Sequence, residues 1–387
     1  MTTRRLSLWL LWVAVGLGLF RPAPLRAEEI RAYRPGARDG GRLEYHDGIP
    51  VLILEGGPEQ MGRQQAALVG GQIRPLLGLP RVILEGRRTG GVWTAAGKTA
   101  WTVLGHAADR HRQELDGLAA ALGATPEEKT SLAVGNVLAE LRRFERCSAL
   151  IVEPQRSRTG GPLFGRNYDF ATFGVLDGLS LVTVYRPTGY HAFAAVGYPG
   201  SMGVLSGMND AGLAAACLDS GPARDDSPRF DPRGAPMLLT FRRVLEECAV
   251  VEEAEKLLRR SRHTTWFNLA VCDRKRAAVF EITAKQVVTR RPEDHGIACT
   301  NHFRTPELGV PAASERYAKL AEHLKQPEPF TWSDVARAMH DARMRDRTIQ
   351  TMVFEPDPLI LRLSIFSRPA SAGPFTALGL KEFFRQP

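Results

Sequence analysis

Cys147, Arg166 and Asp169 fall within one short stretch, "CSALIVEPQRSRTGGPLFGRNYDF" (147–170). They are residue types that thiol-based acyl chemistry uses. A nucleophilic cysteine works with a base, and histidine is the usual partner. Nine histidines are present, but only His302, in "CTNHF" (299–303), stands in a suggestive setting, so a thiol hydrolase with His302 as base is one reading. A second arrangement dispenses with histidine. If the peptide bond between Arg146 and Cys147 is cut, Cys147 becomes an N-terminus. Its own α-amine, titrating at about 7.7–8.0, then takes the thiol proton near working pH. Such a site needs charged groups to orient the new terminus, and Asp169 and Arg166 are the candidates. It also needs an amide to stabilise the oxyanion, and Asn301 is the candidate. Plainer readings stay open: an ion pair within a hairpin for Arg166 and Asp169, a strand-end cap for Asn301, and a core position for Cys147. Asn209, in "GMNDAGL", reads as a turn residue.

The elements that must position these residues change character at Cys147. Residues 28 to about 60 read as short strands and turns. From Pro58 apolar residues recur three and four apart through "PEQMGRQQAALVGGQIRPLLGL" and "AADRHRQELDGLAAAL", the helical period. "TPEEKTSLAVGNVLAEL" opens with Thr125 as N-cap, Pro126 at the first helical position and acids in the first turn. After Cys147, "CSALIVEP" and "GPLFGRNYDF" read as strands around a turn, and four more strands follow up to "GLAAACLDS". "APMLLTFRRVLEECAVVEEAEKLLRR" reads as two helices, and residues 265–291 as hairpin strands. "ACTNHF" is a strand with a polar tip, "SERYAKLAEHLK" and "TWSDVARAMHD" are helices, and "TIQTMVFEPDPLILRLSIF" closes with strands. Strands and helices come in separate blocks, which favours an α+β fold over a doubly wound one.

The chain has 387 residues, 44% of them hydrophobic, enough for a large core, and a formal net charge of +9. Its arginines are scattered and not interleaved with aromatics, which argues against nucleic acid as a partner. "MTTRRLSLWLLWVAVGLGLF" followed by "RPAPLRAEE" reads as a signal segment over 1–27, with membrane contact through that segment alone and a destination in the periplasm or outside the cell. The five cysteines show no CxxC spacing; Cys217, Cys248 and Cys272 read as buried apolar side chains. There is no P-loop, no GxGxxG opening a helix and no HExxH, so neither a cofactor nor a metal is expected.

"LEGGPEQMGRQQA" (54–66), Cys147 heading a strand, "GRNYDF" (165–170), "GMNDAGL" (207–213), "TNHF" (300–303) and "SERYAKL" (314–320) occur in that order. The set resembles the acyl-coenzyme A:6-aminopenicillanic acid acyltransferase-like family of Ntn hydrolases, relatives of the choloylglycine hydrolases. The resemblance implies an αββα sandwich and self-cleavage before the cysteine. Residues 28–146 would be a mostly helical prodomain that stays packed with the 147–387 catalytic chain, giving two self-derived chains. It implies attack by Cys147 on a linear N-acyl amide or an acyl thioester, with Arg166 and Asp169 as the anchoring pair, Asn301 in the oxyanion hole and Arg316 as an arginine near the nucleophile. Tyr168, Phe170 and Tyr198 are candidates for the acyl pocket. Two positions depart from the family pattern: Arg146 stands where the fungal acyltransferase has glycine, and "CLDSGP" puts Asp219 where choloylglycine hydrolases have a second oxyanion asparagine. A non-catalytic binding protein with the bond before Cys147 intact is the alternative that Arg146 leaves open.

Overall fold

The computed structural model describes residues 33–85, 91–142, 146–176 and 178–385; the signal segment expected over 1–27 lies outside them. The segment before Cys147 supplies strands β1 (Gly36–Arg38), β2 (Gly41–His46) and β3 (Ile49–Gly56). Helices α1 (Pro58–Leu76), α2 (Leu79–Glu85), α3 (Val92–Leu104), α4 (Asp109–Ala121), α5 (Pro126–Asn136) and α6 (Leu138–Leu141) follow. Thr125 caps α5 as its sequence demands: its hydroxyl accepts from the Glu128 amide while the Glu128 carboxylate accepts from the Thr125 amide. This satisfies two of the amides that a helix start leaves open.

The later segment supplies β4 (Ser148–Val152), β5 (Leu163–Asp169), β6 (Leu181–Pro187), β7 (Phe193–Gly197), β8 (Ser206–Asn209) and β9 (Ala214–Asp219). Then come α7 (Met237–Glu247), α8 (Val251–Arg260), β10 (Phe267–Cys272), β11 (Ala277–Ile282), β12 (Val287–Arg290) and β13 (Gly296–Cys299). It ends with α9 (Glu315–His323), α10 (Trp332–Asp341), β14 (Thr348–Glu355), β15 (Ile360–Ser364), β16 (Thr376–Gly379) and α11 (Leu380–Phe384). The last strand and helix lie beyond the point where the sequence reading stopped.

The strands form two sheets. The larger runs β1-β2-β3-β6-β7-β8-β9-β10-β11-β12 and the smaller β13-β4-β5-β14-β15-β16. All pairings are antiparallel except β3 with β6, where Val51 faces Val182 and Leu54 faces Tyr185 in parallel register. The two segments therefore share one sheet.

Alternation of side chains along each strand sorts the core into three seams, which define four layers. Leu52 and Leu54 of β3, with Tyr185 and Phe193, pack outward against Met61, Val69, Leu115, Phe241 and Leu245 of the first helix layer. Val51 and Ile53 pack inward, against Ile151, Phe164 and Met352 of the smaller sheet. Leu150, Val152 and Leu163 pack outward again, against Leu320, Val335 and Met339 of α9 and α10. The order is helix, sheet, sheet, helix, the αββα sandwich expected. Gly165 permits the last contact: a Cβ there would lie 2.5 Å from Val335 Cγ1 and 2.9 Å from Met339 Cγ. Any side chain at 165 would push α10 off the strand that carries Arg166 and Asp169.

Candidate active site

Cys147 sits one residue ahead of β4, beyond the Ser148–Asn167 register pair, and is 1% exposed. Ala149 and Ile151 face the seam between the sheets, and Cys147 shares that face and that core. Across the β4–β5 pairing, Phe164 and Tyr168 belong to the same inner core, and Arg166 lies between them in the sequence on the same strand face. Arg166 is completely buried. Its Nε donates to Ser206 Oγ at 3.1 Å, across to the larger sheet, and its Nη1 donates to the Asn167 carbonyl at 2.6 Å. Burial alone would lower its pKa; the Cys147 and Cys217 thiols and Asp169 together outweigh this and hold it as the cation.

Asp169 is three residues on, an odd spacing that turns it to the opposite strand face. It accepts a hydrogen bond of 2.5 Å on Oδ1 from Thr348 Oγ1, its cross-strand partner on β14. The cation at its other oxygen is Arg316, with Nη1 at 3.6 Å from Oδ2. Among the described residues Arg166 and Asp169 form no direct ion pair, because the strand separates them, though Arg166 still acts on the carboxyl at longer range. Burial pushes the Asp169 carboxyl up to about 6, against the opposing pull of Thr348, Arg316 and Arg166.

Asn301 follows β13, the neighbour of β4, and so meets Cys147 from the side. Its Oδ1 accepts from the Cys147 backbone N–H at 2.7 Å and from Arg316 Nη2 at 2.9 Å. Its Nδ2 donates to the Asp219 carbonyl at 2.8 Å. In the continuous chain, then, the amide oxygen and not the NH₂ group faces the backbone at Cys147. Arg316 Nη1 also donates to the Cys147 carbonyl. Ser314 caps α9 by accepting from the Tyr317 amide at 3.2 Å, which fixes Arg316 in the first turn. Burial lowers the Arg316 pKa, Asp169 and Cys147 oppose this, and Arg146 and Arg166 add to the lowering.

His302, the alternative base, is held by its neighbours. Its Nδ1 lies 3.0 Å from Thr300 Oγ1 and its Nε2 3.3 Å from Arg304 Nη1. Burial first, then Arg304, Arg290 and Arg316, push it down to about 4, which makes it a poor proton acceptor for a thiol. Asn209 ends β8 as a buried tie: Nδ2 donates to the Leu245 and Cys248 carbonyls, and Oδ1 accepts from the Leu213 amide. All five thiols are buried and none is in a disulfide. Among the described residues no group of His, Cys, Asp and Glu is arranged to hold a metal, and no helix is long and apolar enough to cross a membrane.

Two cavities share Asp219 in their walls, with Cys147 lining the first and its neighbour Arg146 the second. The first, of about 170 Å³, is apolar and lined by Tyr168, Phe170 and Tyr198 together with Cys147. About half of its wall comes from before Cys147, including Leu76, Leu79, Pro80 and Leu138. The second, of about 870 Å³, is polar and lined by Arg146, Asp219, Asn301, His302, Arg316 and the turn from Arg343 to Arg347. Cys147, Arg166, Asn301, Arg316 and the three aromatic candidates are thus brought to one place, with Asp169 behind Arg316. Sequence reasoning did not find Ser206, Thr348, the helix residues of the apolar wall or the arginine turn. The turn had a signal, three arginines in the five residues "RMRDR", but it was submerged in a generally arginine-rich chain. A two-sided apolar wall has no sequence signal, because its helix residues look like any other core positions.

The sequence profile of the acyl-coenzyme A:6-aminopenicillanic acid acyl-transferase family matches residues 156–366, a span that holds Arg166, Asp169, Asn301 and Arg316 and begins after Cys147. An uncharacterized protein of Archaeoglobus fulgidus is 23% identical over 350 residues, covering 80% of this chain and 55% of that protein. The chain thus spans about half the length of that curated relative. Among solved structures, an N-acylethanolamine-hydrolyzing acid amidase ortholog of Caenorhabditis elegans is 15% identical with a TM-score of 0.44, covering 54% of this chain and 93% of its own. A variant of conjugated bile acid hydrolase from Clostridium perfringens is 14% identical with a TM-score of 0.45, covering 61% and 93%. Penicillin V acylase from Agrobacterium tumefaciens is 16% identical with a TM-score of 0.41, covering 57% and 83%.

Proposed function

The chain belongs to the acyl-coenzyme A:6-aminopenicillanic acid acyl-transferase family, and from that premise we propose that it is an exported, self-processed cysteine hydrolase or acyltransferase that carries an acyl group as a thioester on Cys147. The observation that carries this reading is the hydrogen bond of the Cys147 backbone N–H to Asn301 Oδ1, which joins a residue of the apolar cavity's wall to one of the polar cavity's wall. That N–H belongs to the bond to be cut. After cleavage it is part of the α-amine, already held beside its own thiol.

Processing begins with attack of Cys147 Sγ on the Arg146 carbonyl carbon. The C–N bond breaks, the nitrogen takes a proton and becomes the α-amine, and Arg146 is left as a thioester. Water hydrolyses it, releasing the Arg146 carboxylate and the free thiol. In turnover the α-amine takes the thiol proton as sulfur attacks the substrate carbonyl, then passes it to the leaving group. Water or an acceptor amine completes the reaction by taking the acyl group from sulfur. For Asn301 to serve the oxyanion, its NH₂ group must donate to it, either with the hydrogen not directed at Asp219 or after the amide turns. The apolar cavity suits the acyl side: a dry apolar cavity of about 150 Å³ holds a benzene-sized group, and this one is about 170 Å³. Export rests on the basic and apolar N-terminal stretch alone.

The test is the chain count. Purified wild-type protein should run as two chains on a denaturing gel, the larger with Cys147 at its N-terminus by sequencing. Cys147→Ala should run as one chain and turn over no N-acyl amide. One intact chain in a preparation that binds but does not hydrolyse would favour the binding-protein alternative. Cleavage of the alanine variant at the same bond would assign processing to another protease.

A further inference from the structure

Asn301 lies past the end of β13, where the strand ladder no longer supplies hydrogen-bond partners. Backbone groups inside a protein need partners all the same. Here they come from side chains of the larger sheet. Asn268 Nδ2 donates to the Thr300 carbonyl at 3.0 Å and to the His302 carbonyl at 3.2 Å, the two groups that flank Asn301. The Asn301 carbonyl itself accepts from the Gly221 amide at 2.9 Å. Glu281 takes the donors just beyond. Its Oε1 accepts from the Arg304 amide at 2.8 Å, and its Oε2 accepts from the Thr305 amide at 3.0 Å and the Thr305 hydroxyl at 2.8 Å.

Asn268 and Glu281 are register partners on β10 and β11. Ala270 and Cys272 of β10 and Ala277 and Val279 of β11 face the seam between the sheets. The two-residue period of a strand puts Asn268 and Glu281 on that same face. Both are completely buried. In the apolar strands "FNLAVC" and "AAVFEI", an amide and a carboxylate are costly to bury unless hydrogen bonds repay them. Arg290 adds a tie to β13: its Nε lies 3.4 Å from Glu281 Oε1, and its Nη2 donates to the Ala298 carbonyl at 2.7 Å. Neither Asn268 nor Glu281 is in the wall of the apolar or the polar cavity.

We infer that Asn268, backed by Glu281, is a positioning residue that fixes the backbone at 300–302 and so holds the Asn301 amide beside Cys147. A side-chain donor swings with its own backbone, and an oxyanion donor works only when it is already in place. The residue type fits the task. One NH₂ group has two hydrogens, one for each carbonyl, whereas an aspartate has none to give and a serine one. The inference rests on the reading of Asn301 as the oxyanion donor.

The experiment is a double-mutant cycle on Asn268 and Asn301. It is followed with the para-nitroanilide of phenylacetic acid, whose ring suits the apolar cavity, and with the rate of self-cleavage of freshly made precursor. Asn268→Ala should lower kcat by about 10- to 100-fold and leave KM within a few-fold, the mark of a misplaced group. Asn268→Ala/Asn301→Ala should be within about twofold of Asn301→Ala alone, because Asn268 acts through Asn301. Asn268→Asp keeps the shape without the donors and should lose at least as much as the alanine variant. Asn268→Ser should recover part of the loss, and it carries the cycle if the alanine variant does not fold. Asn209 is the control, since its Nδ2 grips two carbonyls in the same way in the helix layer. Asn209→Ala should lower the melting temperature and leave kcat unchanged. Losses that multiply in the double variant, or an Asn268→Asp enzyme with wild-type kcat, would overturn the inference. Wild-type turnover by Asn301→Ala would instead sink the oxyanion reading, and the inference with it. If wild type does not turn over the anilide, the cycle is decided on self-cleavage, where the same amide meets the same nucleophile. A wild type that does neither removes the hydrolase reading and overturns the inference too.

Discussion

Two clusters of buried charge lie in different seams of the sandwich. In the outer helix layer, Arg242 donates to Glu114 at 2.6 Å, to Glu246 at 2.7 Å and to the Met202 carbonyl at 3.2 Å. Glu246 also meets Arg110 at 2.7 Å and His111 at 3.0 Å. Between the sheets, Arg166 is equally buried but donates to the Ser206 hydroxyl and the Asn167 carbonyl with no carboxylate in ion-pair contact among the described residues, while Asp169 has its cation at 3.6 Å. The first cluster is closed by ion pairs. There the arginines and His111 overcome burial and hold the Glu246 carboxyl well below the usual range. In the second, burial wins and Asp169 is raised. Arginine and carboxylate thus make a clamp in one place and a looser, proton-binding carboxyl in the other, and direct ion-pair contact separates them. The closed cluster also joins α4, from before Cys147, to α7, from after it.

The largest test strikes the closed cluster. Arg242→Ala would leave Glu114 and Glu246 buried without their main cation, and a lone buried charge costs about 3–5 kcal/mol. We expect that loss in chemical denaturation, with no change in which bond is cut before Cys147. A loss below about 1 kcal/mol would show that the cluster is not a clamp. The next test uses the opposite pH signs of the two carboxyls. Asp169 rises from an ordinary 3.8 to about 6 in the folded chain, so between those values the native state binds more protons than the unfolded one. Stability from this group is therefore complete below about 4 and lost as pH climbs through 6, on the order of 3 kcal/mol. Asp169→Asn should flatten that fall. Glu246 works the other way: its contribution is present above the ordinary carboxylate range and is lost on acidification. Stability curves of the Asp169→Asn and wild-type proteins that superimpose from pH 4 to 6 would contradict the assignment. The smallest effect belongs to Thr348→Val, which removes one hydrogen bond to Asp169 and one from Met344 and should cost about 1 kcal/mol. It should also move the Asp169 inflection upward, which a purely structural threonine would not do.

Most of the elements were legible because local signals agree with tertiary demands. Thr125–Pro126 starts a helix both by pattern and in the fold, and the alternation of β4 and β5 sorts Cys147 and Arg166 onto one face. Cys147 stood out just ahead of a strand, Asp169 at the end of one and Asn301 just past another, each beside polar turn residues, whereas Arg166 lies mid-strand and stood out through its place in "GRNYDF". The partner of Asp169 was not legible. Arg316 lies 147 positions away in another layer, and only the folding of α9 onto the small sheet brings it within 3.6 Å. Ser206 and Thr348 are hidden for the same reason, being ordinary strand hydroxyls until a charge is placed opposite them. Asn301 was read for its NH₂ group, yet the continuous chain uses its oxygen, a choice made by the Cys147 amide and the Asp219 carbonyl and not by the "TNHF" motif.

The parallel pairing of β3 with β6 has a consequence for the life history of the molecule. While the chain is continuous, these strands are tethered, and each sees the other at the millimolar effective concentration typical of a linked pair. If the bond before Cys147 is cut as proposed, the tether is gone but the shared sheet remains. Unfolding then releases two polypeptides, and recovery becomes a bimolecular event that weakens with dilution. A protein processed in this way would assemble readily once, as a single chain, and afterwards persist through the slowness of its unfolding more than through its capacity to refold.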